Sequence, residues 1–386
     1  MIRDGRDDIP GGGRIGGHNP GSTAGRTAGR TSDRGWPASR IFDVEACGAC
    51  NLECPFCPRA SLPAEMRSMS EATFDAFLDR FSPDAHDLLV FAGIGEPFLN
   101  RRLPAFVARA RRRSPKLHVR ITTNGTFLDP DRLPPLLEAG LSTLDVSFNG
   151  LTRERYSALM AGADYDRVLE NIAYARRAIE EFGGKTRLQV NFIVSSQDAA
   201  RETAEAKRFW RARGVERFHI HRAHDRAGWV ASDGPPGRAE GLVGLGGLSG
   251  SGGPNVSVGR GGLGGVDGLS AHHSGLGVDV RGCQIFDFMT FVSWRGDVHV
   301  CCHDIARKHV LGNVLDDDRA SIEDAKASIR RTRHWPEICE SCSDPLRHDL
   351  KKVVLGAMAG QLGHDVRDWV SRKIRRGLRR ETGGCE

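Results

Sequence analysis

The stretch that decides the fold is EACGACNLECPFCPRA, residues 45–60, in which Cys47, Cys50, Cys54 and Cys57 crowd into one short segment. It follows RIFDVEA, an apolar run that reads as a strand carrying the thiols at its C-terminal end. Cys50, Cys54 and Cys57 form C-x3-C-x2-C, a spacing that wraps one loop around a compact inorganic cube. Three thiolates bind three irons of a [4Fe–4S] cluster, leaving the fourth iron open to a small molecule. A zinc site with Cys47 as fourth ligand suits the same loop. Taken alone, the segment leaves both readings standing.

Composition narrows the setting. The 386 residues are 39% apolar, enough for a large core and a second small unit. The first segment, MIRDGRDDIPGGGRIGGHNPGSTAGRTAGR, is Gly- and Arg-rich with no apolar run, so no secretory signal is expected. Nowhere do about eighteen consecutive apolar residues occur, so no membrane span is expected either. A cytoplasmic setting follows, where clustered thiols point to metal or catalysis rather than to disulfides. The net charge of +6 is modest for this length, partly sits in the two tails, and does not argue for nucleic acid.

Further along, apolar runs alternate with helical periodicities. Ser70 opens a helix with Phe74, Phe77, Leu78 and Phe81 on one face. DLLVFAG, LHVRITTNG, STLDVSFNG, RLQVNFIVSS and ERFHIHRAH read as further strands, separated by helices after Asn100, around 133–139, through Val168, Ile172, Ala175 and Ile179, and around 199–212. Six strands alternating with helices make a parallel α/β sheet, and the distinctive polar groups all stand at strand C-terminal ends, where barrel-type folds bind ligands. The expected division is a disordered leader at 1–36, a core at 37–228, a Gly/Ser-rich linker or mobile insertion at 229–280, a β-rich cysteine module at 281–345 and a basic helical tail at 346–386.

The cysteine loop, with Phe56 before its last Cys, resembles that of the radical S-adenosylmethionine (SAM) superfamily, and the order of motifs at successive strand ends carries the resemblance. GIGEP, with Gly93, Gly95, Glu96 and Pro97, is similar to the glycine-rich segment that holds the SAM amino group. Thr123, Asn124 and Gly125 match the third strand end, and Ser147 and Asn149 match the position that contacts the SAM ribose and carboxylate. The resemblance implies a partial (β/α)6 TIM-type barrel. It also implies reductive cleavage of SAM, hydrogen-atom abstraction from a substrate, and a flavodoxin- or ferredoxin-type electron donor. Cys47 lies outside the motif and reads as a nearby thiol.

The second set of cysteines is Cys283, Cys301, Cys302, Cys339 and Cys342. Gly296 stands in a G-x4-C turn before Cys301 and CESC supplies a C-x2-C pair, so Cys283, Cys301, Cys339 and Cys342 can close a four-thiolate site; structural zinc is the alternative. The set resembles the SPASM/twitch auxiliary modules of the superfamily in their one-cluster form, implying two [4Fe–4S] clusters in all. Cys302 is a spare thiol: an alternative ligand, an inert residue, or a hydrogen-atom donor of the kind an epimerase needs.

The order of Cys283, Gly296 to Cys301, Gly312-Asn313 and Cys339 to Cys342 is similar to that of the 2-deoxy-scyllo-inosamine dehydrogenases, and DRAG resembles their Arg-containing turn, which sets Arg226 near SAM and the substrate hydroxyl. An Arg capping that turn is the plainer alternative. This resemblance implies oxidation of a secondary alcohol in a small sugar- or aminocyclitol-type molecule, with the auxiliary cluster taking the second electron. Epimerisation or decarboxylation of such a molecule is the runner-up, peptide maturation is disfavoured by the short polar N-terminal segment, and an electron-transfer scaffold would leave GIGEP without a purpose.

Overall fold

The computed structural model describes residues 41–62, 67–85, 87–194, 198–222, 283–339, 342 and 344. The leader, the Gly/Ser-rich segment, the tail and Arg226 lie outside the described residues. Six strands run in parallel sequential order, β1 (Ile41–Glu45), β2 (Leu88–Ala92), β3 (His118–Thr123), β4 (Thr143–Ser147), β5 (Arg187–Val194) and β6 (Phe218–Arg222). Helices α1 (Glu71–Phe81), α2 (Leu103–Arg113), α3 (Leu133–Glu138), α4 (Arg153–Leu159), α5 (Tyr165–Glu181) and α6 (Ala199–Arg211) occupy the crossovers. This is the parallel α/β sheet that the alternation implies, in the partial (β/α)6 form that the resemblance implies.

Side-chain alternation along each strand sends one face outward to the helices. Phe42 of β1 meets Phe77 and Phe81 of α1, and Phe91 of β2 meets Phe74 of α1 and Phe106 of α2. Phe148, just beyond β4, packs on Tyr156 of α4 and Trp210 of α6. The other face lines the lumen. Ser70 starts α1 by accepting from the Thr73 amide at 3.0 Å, and Phe74, Phe77, Leu78 and Phe81 are all buried, as the periodicity expects. α4 has no counterpart in the sequence reading, because Tyr156 is its sole buried residue and the helix therefore shows no apolar period.

The C-terminal module contributes α7 (Gln284–Phe288), β7 (Met289–Val292), β8 (Asp297–His299), β9 (Val310–Asn313) and α8 (Arg319–Thr332). The turn at Arg295-Gly296-Asp297 joins β7 and β8 as an antiparallel pair, and Gly296 adopts the left-handed φ of +94° that this reversal requires. β7 pairs in parallel with β1, so barrel and module share one nine-stranded sheet in the order β6-β5-β4-β3-β2-β1-β7-β8-β9.

Candidate cluster and cofactor sites

The loop after β1 is anchored before it reaches its second cysteine. Cys47 is buried, bridges to Ser68, and its sulfur accepts from the Ala49 amide and the Ser68 hydroxyl at 3.4 Å each. Asn100 donates to the carbonyls of Ala46 and Met69, locking the loop base to the start of α1. Cys50, Cys54 and Cys57 then stand half-buried on one turn, with the Cys57 amide donating to the Cys54 carbonyl at 2.9 Å and Phe56 packed against the core. Burial pushes the Cys54 thiol up to about 12, and Cys57 and Cys50 add to the push. Burial also raises Cys50, with Glu96 and Cys57 acting in the same direction. Three crowded thiols that disfavour one another's charge are a soft donor set whose thiolate forms need a metal cation, so the residues suit an iron–sulfur cluster.

GIGEP packs directly on this loop. A Cβ on Gly95 would collide with the Cys47 carbonyl oxygen and lie 2.7 Å from that of Ala49. The Glu96 amide donates to the Ala49 carbonyl at 2.7 Å, and Pro97 opens a short 3-10 turn over Pro97–Leu99. The Glu96 carboxylate is 2% exposed and fully engaged inside the protein. Its Oε1 accepts from the Thr123 hydroxyl (2.7 Å) and the Phe98 amide (3.0 Å), and its Oε2 from the Asn124 amide (2.8 Å). Burial nonetheless pushes its carboxyl upward, against those bonds. Glu96 thus ties the β2 and β3 ends together, a bracing role that the motif alone does not reveal.

The remaining residues join the same array. Asn124 donates to the Cys50 sulfur at 3.8 Å and to Asn51 Oδ1 at 2.9 Å. Ser147 accepts from Asn191 of β5 at 3.3 Å. Asn149 accepts from the Ile193 amide at 2.9 Å and donates to the Met160 sulfur, which lies 4.0 Å from that of Cys54. Sequence reasoning does not single out Asn51, Asn100 or Met160; the signal for Asn51 is its place inside the cysteine motif.

In the C-terminal module, Cys283, Cys301, Cys339 and Cys342 line one small apolar cavity with Ile285, His303 and Ile338. These are the four thiols grouped from the sequence. Burial pushes Cys301 up to about 12, with Cys339 and Cys283 adding to it. Cys302, half-buried, is not among the lining residues. His303, which no motif marks, is held by Asp344 at 2.8 Å through Nε2. The loop behind Cys301 is fixed by buried Asp304, which accepts from the Lys308 and His309 amides and faces His299 at 3.2 Å. Burial raises the Asp304 carboxyl, but the bonds from His299 and His309 outweigh it and hold it below the usual range.

One contact spans the two sites. Glu45, the last residue of β1 and completely buried, accepts from the Ile94 amide of GIGEP (3.4 Å), the Trp294 amide (3.5 Å) and the Arg307 guanidinium (2.8 Å). Trp294 lies over Gly48, where a Cβ would come within 2.5 Å of its indole nitrogen.

Comparison with known proteins agrees with this geometry. Residues 44–193 match the radical SAM superfamily profile and residues 283–343 the SPASM iron–sulfur cluster-binding domain. A GTP 3',8-cyclase of Mycobacterium ulcerans is 32% identical over 173 residues, 43% of this chain and 46% of that protein. The S-adenosyl-L-methionine-dependent 2-deoxy-scyllo-inosamine dehydrogenase of Niallia circulans is 29% identical over 134 residues, 33% of this chain and 54% of its own length. The chain thus spans about half the length of these curated relatives. Streptococcus suis SuiB bound to its precursor peptide SuiA shares the fold, with a TM-score of 0.53 at 16% identity over 80% of this chain and 70% of that one. The chain thus carries a radical SAM domain over residues 44–193 and a C-terminal SPASM iron–sulfur cluster-binding domain over residues 283–343, which imply [4Fe–4S] clusters and SAM as cofactors.

Proposed function

We propose that the chain is a radical SAM oxidoreductase that converts a secondary alcohol of a sugar- or aminocyclitol-type intermediate to a ketone. Cys50, Cys54 and Cys57 would hold the SAM-cleaving cluster, and Cys283, Cys301, Cys339 and Cys342 the auxiliary one. The observation that carries the reading is the pairing of a three-thiol C-x3-C-x2-C loop at the end of β1 with four thiols lining one small apolar cavity. When bound, the clusters and SAM supply one-electron reduction, hydrogen-atom abstraction and acceptance of a second electron. The chain's own residues bind and orient: Glu96 fixes the β2 and β3 ends, Asn124 borders Cys50, and Ser147 and Asn149 present polar groups at the β4 end. The catalytic core is assigned to 37–228 and the auxiliary domain to 281–345, with Arg226 near the substrate hydroxyl and a flavodoxin- or ferredoxin-type protein as electron donor. No helix among the described residues is long and apolar enough to cross a membrane.

A redox-neutral epimerase is the second reading, favoured by Cys302, a half-buried thiol that stands in sequence between the cavity-lining Cys301 and His303 without lining the cavity itself. The deciding experiment is anaerobic reconstitution followed by SAM cleavage with C-deuterated polyols and aminocyclitols. About eight irons in wild type and about four in the Cys50/Cys54/Cys57→Ala variant are expected, with deuterium recovered in 5'-deoxyadenosine and a ketone formed. Solvent hydrogen returned to the same carbon, lost in Cys302→Ala, would select the epimerase. Zinc in place of iron, or no SAM cleavage by iron-replete protein, would remove both.

A further inference from the structure

Asp145 lies in the middle of β4, between Leu144 and Val146, which are buried in the core. Alternation therefore turns Asp145 and Ser147 to the lumen. Register across β5 sets Ser147 opposite Asn191 and Asn191 opposite His219 of β6, while Asp145 stands opposite Gln189 one step below. Asp145 is 1% exposed, and its Oδ1 has no hydrogen-bond partner among the described residues. The imidazole Nδ1 of His219 is also buried and without a hydrogen bond there, and it lies 3.7 Å from Asp145 Oδ2. That is ion-pair range rather than a hydrogen bond. The His219 ring also meets His221, centroids 4.0 Å apart.

A buried carboxylate oxygen without a donor keeps its full desolvation penalty, which is larger for a charged group than for a neutral one. A buried polar group left without a partner calls for an explanation, and a functional role is one of the few on offer. The route to Asp145 is visible. β6 is the terminal strand of the sheet among the described residues, and the His219 side chain on it, 30% exposed, lies beside the carboxylate. Asp145 Oδ2 faces the ring at Nδ1 from ion-pair distance, and the second ring nitrogen, Nε2, is the one left to meet an incoming group. Ser147 and Asn191, already bonded to each other, extend the polar floor along the same row.

We infer that His219, positioned by Asp145, is the subsite that binds a hydroxyl group of the substrate, and that the ligand is a polyhydroxylated ring entering at the β6 edge. This rests on the sugar- or aminocyclitol-type reading above and deepens it; no bond is made or broken in the contact itself. The test is equilibrium binding of myo-inositol and 2-deoxystreptamine to reconstituted, SAM-loaded full-length protein, with cyclohexylamine as the amine without hydroxyls. Wild type should bind one or both polyols saturably, and His219→Ala and Asp145→Asn should each weaken that binding about ten-fold. SAM affinity, iron content and the behaviour of Lys185→Ala, an exposed control, should stay unchanged. Binding that survives both substitutions overturns the subsite alone. Loss of SAM affinity in parallel with polyol affinity also overturns it, since it marks a structural role. Failure of wild type to bind either polyol overturns the substrate class itself.

Discussion

Gly95 is the residue on which the cysteine loop closes. Any side chain there enters the space of the Cys47 and Ala49 carbonyls, and the Ala49 oxygen alone would stand 2.7 Å from the added methyl carbon, so Gly95→Ala must push the loop off GIGEP. The expected result is loss of about half the reconstituted iron, with the C-terminal site still loaded; full iron by chemical analysis would refute it. Glu96 makes a different demand. Its two oxygens take three donors, and Glu96→Gln turns an amide donor toward them, which should lower stability by about 1–3 kcal/mol in denaturant unfolding. His118 sets the acid limit. Burial first, then Arg187, Arg120 and Arg111, lower its imidazole from 6.5 to about 4. Between those values the unfolded chain holds a proton that the folded chain releases, so stability should rise with pH across this window and level off above it. The span is on the order of 3 kcal/mol, and His118→Asn should flatten that slope in melting curves recorded from pH 4 to 7.

At the scale of elements, α1 shows which terms dominate. Removing its cap with Ser70→Ala should cost about 1 kcal/mol, whereas Phe74→Ala should cost about 3–5 kcal/mol. Phe74 is fully buried and stacks on Phe106 at 4.4 Å while touching Phe77 and Phe91, so its loss opens a void between two helices and β2. Calorimetric melting of the two variants checks the ratio. α1 is legible in the sequence because cap and apolar period agree, and the strand ends are legible because each closes on a polar motif. The bond pattern inside the site is not. Nothing in GIGEP says that its carboxylate turns inward to Thr123 and Asn124, and nothing in STLDVSFNG marks Asp145, one letter in a strand, as a lumen group facing His219. Such relations depend on which strands become neighbours and how they register, information held by the fold rather than by any local window.

Across the whole molecule, the pair of buried Glu45 and half-buried Arg307 joins the two cysteine-bearing regions. Arg307→Met would leave the Glu45 carboxylate buried without its cation and should destabilise by about 3–5 kcal/mol, and adding Glu45→Gln should recover part of that loss. A double-mutant cycle in denaturant measures the coupling; strictly additive effects would show that the two regions do not communicate through this pair. The sheet has a second consequence. β1, which carries the SAM-cluster loop, is an interior strand solely because Ile41 to Val44 are capped on one side by Met289 to Val292. If the C-terminal module frays after its cavity is stripped of metal, the five-residue backbone of β1 is laid bare as an unpaired edge beside the cysteine turn. By pairing with that edge, β7 denies it to a second copy of the chain, so losing the module should raise the tendency of the barrel to associate edge to edge.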